Sequence, residues 1–286
     1  MKALRDLLRP TVTAPPAPPP PALALPPLPP RPAALPDPAA HDPLLAAALP
    51  MCWRRRVLLC WGDAPRVTRF MLACGAAGAK AVHAAATGTE APIHAALATE
   101  AAALGRTAPP AWPATPLNGK REVDSRPGLW LGAPPGQGCA HLGMELAVDG
   151  SQLVHHEEPL AWLNSLAATG ARHLVTETPV VSASGALAGA GFRPGDIWFA
   201  GTMTPDMSRA MAAWWTQQGV ELEQYRRFPD GFTTSQGHAA GLAVVGWWSF
   251  MDRAGLERLL QRAGWRVLRL VPSWNGRSVV AVAERA

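Results

Sequence analysis

Asp252-Arg253-Ala254-Gly255-Leu256-Glu257-Arg258-Leu259-Leu260-Gln261-Arg262-Ala263-Gly264 decides the fold, together with the two runs that follow it, Val267-Leu268-Arg269-Leu270-Val271 and Ser278-Val279-Val280-Ala281-Val282. Leu256, Leu259, Leu260 and Ala263 recur at helical spacing, Asp252 can accept from the free N–H groups of the first turn, and Gly264 ends the pattern. Between the two β-rich runs lies Pro272-Ser273-Trp274-Asn275-Gly276-Arg277. Asn-Gly in that place is a strong hairpin signal, because both turn positions require positive φ. The end of the chain therefore predicts a helix followed by an antiparallel hairpin.

Upstream, strands alternate with helices. Arg172-His173-Leu174-Val175-Thr176-Glu177-Thr178 reads as a strand closed by Pro179. Before it, Glu157-Glu158-Pro159 opens a helix with Leu160, Leu163 and Leu166 on its apolar side, and Ser151–His156 reads as a strand end. Near the start, Arg56–Trp61 is a buried strand that runs into Gly62-Asp63. Pro65 then suits the first turn of a helix carrying Val67, Phe70, Met71 and Cys74. Lys80–Ala84 is a second strand, and a further helix is predicted over 91–104. This alternation predicts a parallel α/β sheet. Between Arg106 and Gly138 the pattern dissolves into Pro, Gly and isolated tryptophans, which predicts either a concealed strand or poor order there.

Composition divides the chain. Of 31 prolines in 286 residues, 16 fall in the first fifty. Residues 1–50 are expected to be a disordered Pro/Ala-rich tail, extended like polyproline. Its Pro27-Leu28-Pro29-Pro30-Arg31-Pro32 could serve an aromatic-groove domain as a ligand, or the tail could be an inert spacer. Residues 51–286 are expected to form one α/β domain with an insertion at about 182–250. The net charge of +5 is spread thinly, which permits nucleic-acid binding without arguing for it. The four cysteines lack metal or redox spacing and read as buried thiols of a cytoplasmic protein. No apolar run reaches the roughly 18 residues of a membrane span.

A parallel sheet closed by a C-terminal antiparallel hairpin resembles the class I S-adenosylmethionine-dependent methyltransferases. Leu153-Val154-His155-His156-Glu157-Glu158-Pro159-Leu160-Ala161-Trp162-Leu163 looks like their fourth strand and the helix after it. Leu174–Val180 looks like the fifth strand, and Gly255–Val267 like the last helix and sixth strand. The nearest branch is the one containing the tRNA wobble-uridine side-chain modifiers. The resemblance implies a Rossmann-like methyltransferase fold and S-adenosyl-L-methionine as cofactor. It places Gly62, Asp63, His155 and His156 at the cofactor. It places Trp198, Trp214, Arg226 and Trp247, in the insertion, over a small-molecule or RNA substrate.

Each of these residues also has a plainer reading. The tryptophans can pack a small subdomain, since Met207, Met211, Trp214 and Trp215 have core spacing on a predicted helix over Pro205–Gln218. Adjacent histidines on a strand face opposite ways, so one metal ion can hardly take both. Glu177 and Asp230 are the carboxylates to consider for acid–base work, and no catalytic residue is assigned. At the cofactor end the chain departs from the family. The turn after the first strand holds one glycine, and the second strand ends in Ala84-Ala85-Ala86 where the family carries an acid for the ribose. These losses open an alternative, a methyltransferase-like binding protein without catalysis.

Overall fold

A computed structural model describes residues 42–61, 64–86, 129–132, 143–156, 158–220, 222–224, 232–234 and 247–286. They fall in one unit, Pro36–Ala286. The helix expected over 91–104, most of the Pro-rich tail, and Gly62, Asp63, Arg226 and Asp230 lie outside the described residues.

A seven-stranded sheet carries the fold. Its strands are β1 (Arg56–Trp61), β2 (Ala81–Ala86), β3 (Leu129–Gly132), β4 (Leu146–Gly150), β5 (His173–Pro179), β10 (Trp265–Ser273) and β11 (Ser278–Arg285). Their order is β10-β11-β5-β4-β1-β2-β3. Neighbours run parallel from β3 to β5, and β11 enters antiparallel between β5 and β10. This is a Rossmann-like sheet ending in an antiparallel hairpin, the arrangement expected from the sequence. The hairpin turns where Asn-Gly predicted, with Asn275 at φ 54° and Gly276 at φ 84°.

Both faces of the sheet are buried, so the central strands read as continuous apolar runs. Alternation then assigns neighbours to opposite cores. Val57, Leu59, Leu146, Val148 and Val175 face α1 (Pro43–Ala48) and α2 (Ala64–Ala76). Leu58, Cys60, Ala147 and Leu174 meet Trp162, Leu163 and Leu166 of α3 (Pro159–Ala168). Leu256, Leu259 and Leu260 of α6 (Arg253–Arg262) join that second core. The insertion has a core of its own. It is built from α4 (Ala186–Gly189), α5 (Pro205–Gln217) and the pair β6 (Ile197–Phe199) with β9 (Ser249–Met251). A second short pair joins β7 (Leu222–Gln224) to β8 (Phe232–Thr234).

Two expectations need correction, and one open alternative is decided. The tail does not extend to residue 50. Pro43–Ala48 is helical, Asp42 accepts from the N–H groups of Leu44 and Leu45, and both leucines are fully buried. Pro43 at the first helical position costs nothing, since its missing N–H would be unpaired there. The fourth strand is Leu146–Gly150, and the predicted strand end Ser151–His156 is a turn of 3-10 helix over Gln152–His155. Its Leu153 and Val154 are buried, which gives the turn the apolar look of a strand. A concealed strand does lie in the illegible stretch: β3 at Leu129–Gly132, at the sheet edge.

Candidate functional site at the strand ends

In open parallel sheets, ligands sit at the carboxyl ends of the strands where the winding reverses. That point lies between β1 and β4, whose ends pair as Trp61↔Gly150, and Gly150 pairs onward with Glu177 of β5. After Gly150 the chain turns sharply at Ser151, whose φ is 64°, while its N–H donates to the Glu177 carbonyl at 3.0 Å. This turn brings the 3-10 segment back over the sheet end.

Asp149 is buried completely beneath that turn. Its Oδ2 accepts from Thr176 Oγ1 at 2.7 Å and its Oδ1 from Trp162 Nε1 at 3.1 Å. Burial raises its carboxyl to about 7. The bonds from Thr176, Trp162 and the Gln152 backbone oppose that rise, and the charge of nearby Glu177 adds to it. His156 stacks on the face of the Trp162 ring at 4.3 Å between centroids. Desolvation, with the adjacent His155 charge, lowers its imidazole to about 4.

Glu177 accepts from Ser273 Oγ at 2.6 Å, which ties β5 to the hairpin loop. Together these elements enclose a cleft of about 380 Å³. Its walls include Ser151, His155, Glu177, Trp247, Trp274 and Asp42. Carboxylates, an imidazole and hydroxyls beside indoles can hold a flat organic body and bond its polar groups.

The predicted site residues divide. His155 and Trp247 line this cleft. His156 lies on the same turn but is engaged with Trp162. Trp198 is buried edge-on to Phe192, in the core of the insertion. Trp214 is half-buried on α5, edge-on to the fully buried Trp215. The expected opposition of His155 and His156 across a strand does not occur, because neither lies on one. Sequence reasoning missed Asp149, Asp42, Ser273 and Trp274. An acid closing an apolar run just before Gly150 was the available signal for Asp149.

The residues fit S-adenosyl-L-methionine in part. Trp61 pairs with Ala86, so an alanine stands where the family's ribose carboxylate would be. The ends of β1 and β4 nonetheless lie side by side, and Ser151, just after β4, reaches the cleft. Among the described residues, no group of three or more His, Cys, Asp or Glu could hold a metal ion. No described helix is long and apolar enough to cross a membrane.

No family model matches the chain, and no curated protein does. Solved structures do resemble it. The 1,6-didemethyltoxoflavin-N1-methyltransferase of Burkholderia thailandensis, solved with S-adenosylhomocysteine, is 14% identical over 86% of this chain and 77% of its own, with a TM-score of 0.46. An S-adenosylmethionine-dependent methyltransferase of Mesorhizobium loti is 13% identical over 87% and 99%, also with a TM-score of 0.46. A Rhodobacter sphaeroides protein assigned as a zinc-dependent alcohol dehydrogenase reaches 0.48 at 10% identity, over 86% and 90%. Likenesses this distant carry no argument about activity. The strand order, in contrast, is a property of this chain itself.

Proposed function

We propose that this chain is an S-adenosyl-L-methionine-dependent methyltransferase whose acceptor, a small molecule or RNA, occupies the cleft at the ends of β4 and β5. The observation that carries this reading is the position of the cleft. It opens over the ends of β4 and β5, on the strand neighbouring the reversal point between β1 and β4. The bound cofactor would supply an electrophilic methyl group. The chain's own contribution is to hold the acceptor's nucleophile in line, and positioning of this kind can account for most of the catalysis. His155 and Glu177, both on the cleft wall, are the groups able to take a proton from that nucleophile. Buried thiols at Cys52, Cys60 and Cys74, none in a disulfide, suit a reducing compartment such as the cytoplasm.

Calorimetry with S-adenosyl-L-methionine tests the reading. Micromolar affinity, about −8 kcal/mol, lost in Gly62→Val and Asp63→Ala, supports it. A second reading, a binding protein without catalysis, is favoured by Ala86 at the end of β2. Cofactor binding weaker than about millimolar, roughly −4 kcal/mol, would leave that second reading standing.

A further inference from the structure

In the sequence the cations are scattered, and the fold gathers a set of them along one edge of the sheet. That edge is where β1, β2, β4 and β5 begin and β11 ends, at the opposite end of the strands from the cleft. Backbone bonds tie its residues into a line. Lys80 N donates to the Arg55 carbonyl at 2.8 Å, and Glu145 N to the Arg56 carbonyl at 3.0 Å. Arg172 N donates to the Glu145 carbonyl at 3.1 Å, and Arg285 N to the Arg172 carbonyl at 2.9 Å. Neighbouring strands lie about 4.8 Å apart, so the line from Lys80 to Arg285 is about 19 Å long.

Cations outweigh carboxylates along it. Lys80 and Arg172 are exposed, and neither they nor Arg55 make an ion pair with a described residue. The exposed carboxylate in the middle is Glu145, which accepts from the Arg56 N–H at 3.1 Å. Beyond the line, Arg266 pairs with Glu284 and the two cancel. Arg285 is pinned by the Ala263 carbonyl at 3.3 Å and lies 5.3 Å from the Trp265 ring centre, and Arg54 lies 5.7 Å from that of Trp53. None of these contacts brings a counter-charge to Arg54 or Arg285. Two side-chain nitrogens in the line, Arg55 Nη1 and His173 Nδ1, are buried without a hydrogen-bond partner. A buried donor left unpaired is costly, so an added oxygen acceptor is favoured there. Burial first, and the Arg55 charge second, lower the His173 imidazole, so it stands neutral beside these cations near pH 7.

The residue types select the partner. Apart from Lys80 the cations are arginines, whose planar forks match phosphate oxygens two at a time. A membrane surface would call for exposed apolar side chains among the cations. The exposed large apolar residues, Phe199, Leu268 and Trp274, all lie off this line. A single line of cations meets one strand of phosphates, whereas a duplex presents two.

We propose that the amino edge of the sheet, from Lys80 through Arg55 and Arg172 to Arg285, binds the phosphate backbone of single-stranded RNA. β1 has six residues, so this edge stands about 20 Å from the strand ends that carry the cleft and is a second surface. The choice of RNA rests on the reading above, which has RNA among its acceptors, while the phosphate surface stands without it.

The test is a fluorescence-anisotropy titration of a labelled short oligouridylate with the full chain, in the absence of cofactor. Three or four phosphate contacts on a single strand give a slope of about −2 to −3 in log affinity against log salt. Lys80→Gln combined with Arg172→Gln should weaken binding about tenfold and reduce that slope by about 1.4. Arg209→Gln with Arg253→Gln removes the same charge from exposed positions on α5 and α6, and should change affinity less than about twofold. Glu145→Gln keeps an acceptor for the Arg56 N–H and should tighten binding about threefold. Melting curves establish that each variant is folded. No binding in about 50 mM salt would overturn the proposal. A loss in the Arg209 and Arg253 variant equal to that in the Lys80 and Arg172 variant would do the same. So would binding of phosphatidylserine vesicles without binding of the oligouridylate, which would give the edge to a membrane. Because no cofactor is present, the outcome is independent of the calorimetry. Oligouridylate binding without S-adenosyl-L-methionine binding upholds this surface and removes methyl transfer, and the opposite result does the reverse.

Discussion

Asp149 shows how burial sets the chemistry of a single side chain. Its unfolded carboxyl titrates near 3.8 and its folded carboxyl near 7, chiefly because no water reaches it. Between those values the folded chain holds a proton that the unfolded chain has released. Its stabilising contribution is therefore complete below about pH 4 and is lost as the pH rises towards 7. Asp149→Asn keeps the shape of the neutral acid and cannot ionise. From pH 5 to pH 8 the variant should gain on the native chain by an amount on the order of a few kcal/mol. Thermal melts of both proteins across that range check this, and a gap that does not change with pH would remove the account. His156 offers the opposite case. An imidazole lowered to about 4 and stacked on Trp162 is neutral near pH 7, so its role there is packing.

At the scale of elements, the junction of α6 with the insertion rests on one aspartate and one glycine. Asp252 accepts from Gly255 N at 2.7 Å, and its two oxygens also accept from Gly195 N at 3.0 and 2.9 Å. Gly255 lies in the first turn of α6, where a Cβ would stand 2.6 Å from the Asp196 carbonyl oxygen. Gly255→Ala should cost about 1–3 kcal/mol, because backbone has to move. Gly189→Ala is the matched control. A Cβ there meets nothing within 4 Å, so the effect should be neutral or stabilising by up to about 1 kcal/mol. Urea denaturation of the two variants checks both, and equal midpoints would refute the close-approach argument.

Such local rules also decided what could be read from the sequence. The hairpin was legible because Asn275-Gly276 needs positive φ whatever surrounds it, and α6 because Asp252 and the leucine spacing act locally. β4 was missed because the buried Leu153 and Val154 of the following turn imitate a strand. β3 has four residues among prolines and glycines, too few to show a period. The candidate site was less legible than the fold. Asp42, Glu177 and Trp274 meet only through contacts distant in sequence, while Trp198 was drawn to the site by its type and belongs to packing.

For the molecule as a whole, the largest consequence lies in α1. It packs against β5, β10 and β11, and its Leu44 and Leu45 are fully buried. Burying a leucine contributes about 1.5–3 kcal/mol, so losing both removes several kcal/mol. Domains of this size have a net stability of about 5–15 kcal/mol, so that loss is a large part of the whole. A chain beginning at His41 should melt close to the full chain, because Asp42 still caps the helix. A chain beginning at Met51, where composition alone would draw the boundary, should be strongly destabilised or fail to fold. The same cut removes Asp42 and Pro43 from the cleft wall. If the two shortened chains melt together, α1 is no part of the core. In that case the cleft, which takes one wall from the residues leading into α1, would have to be redrawn as well.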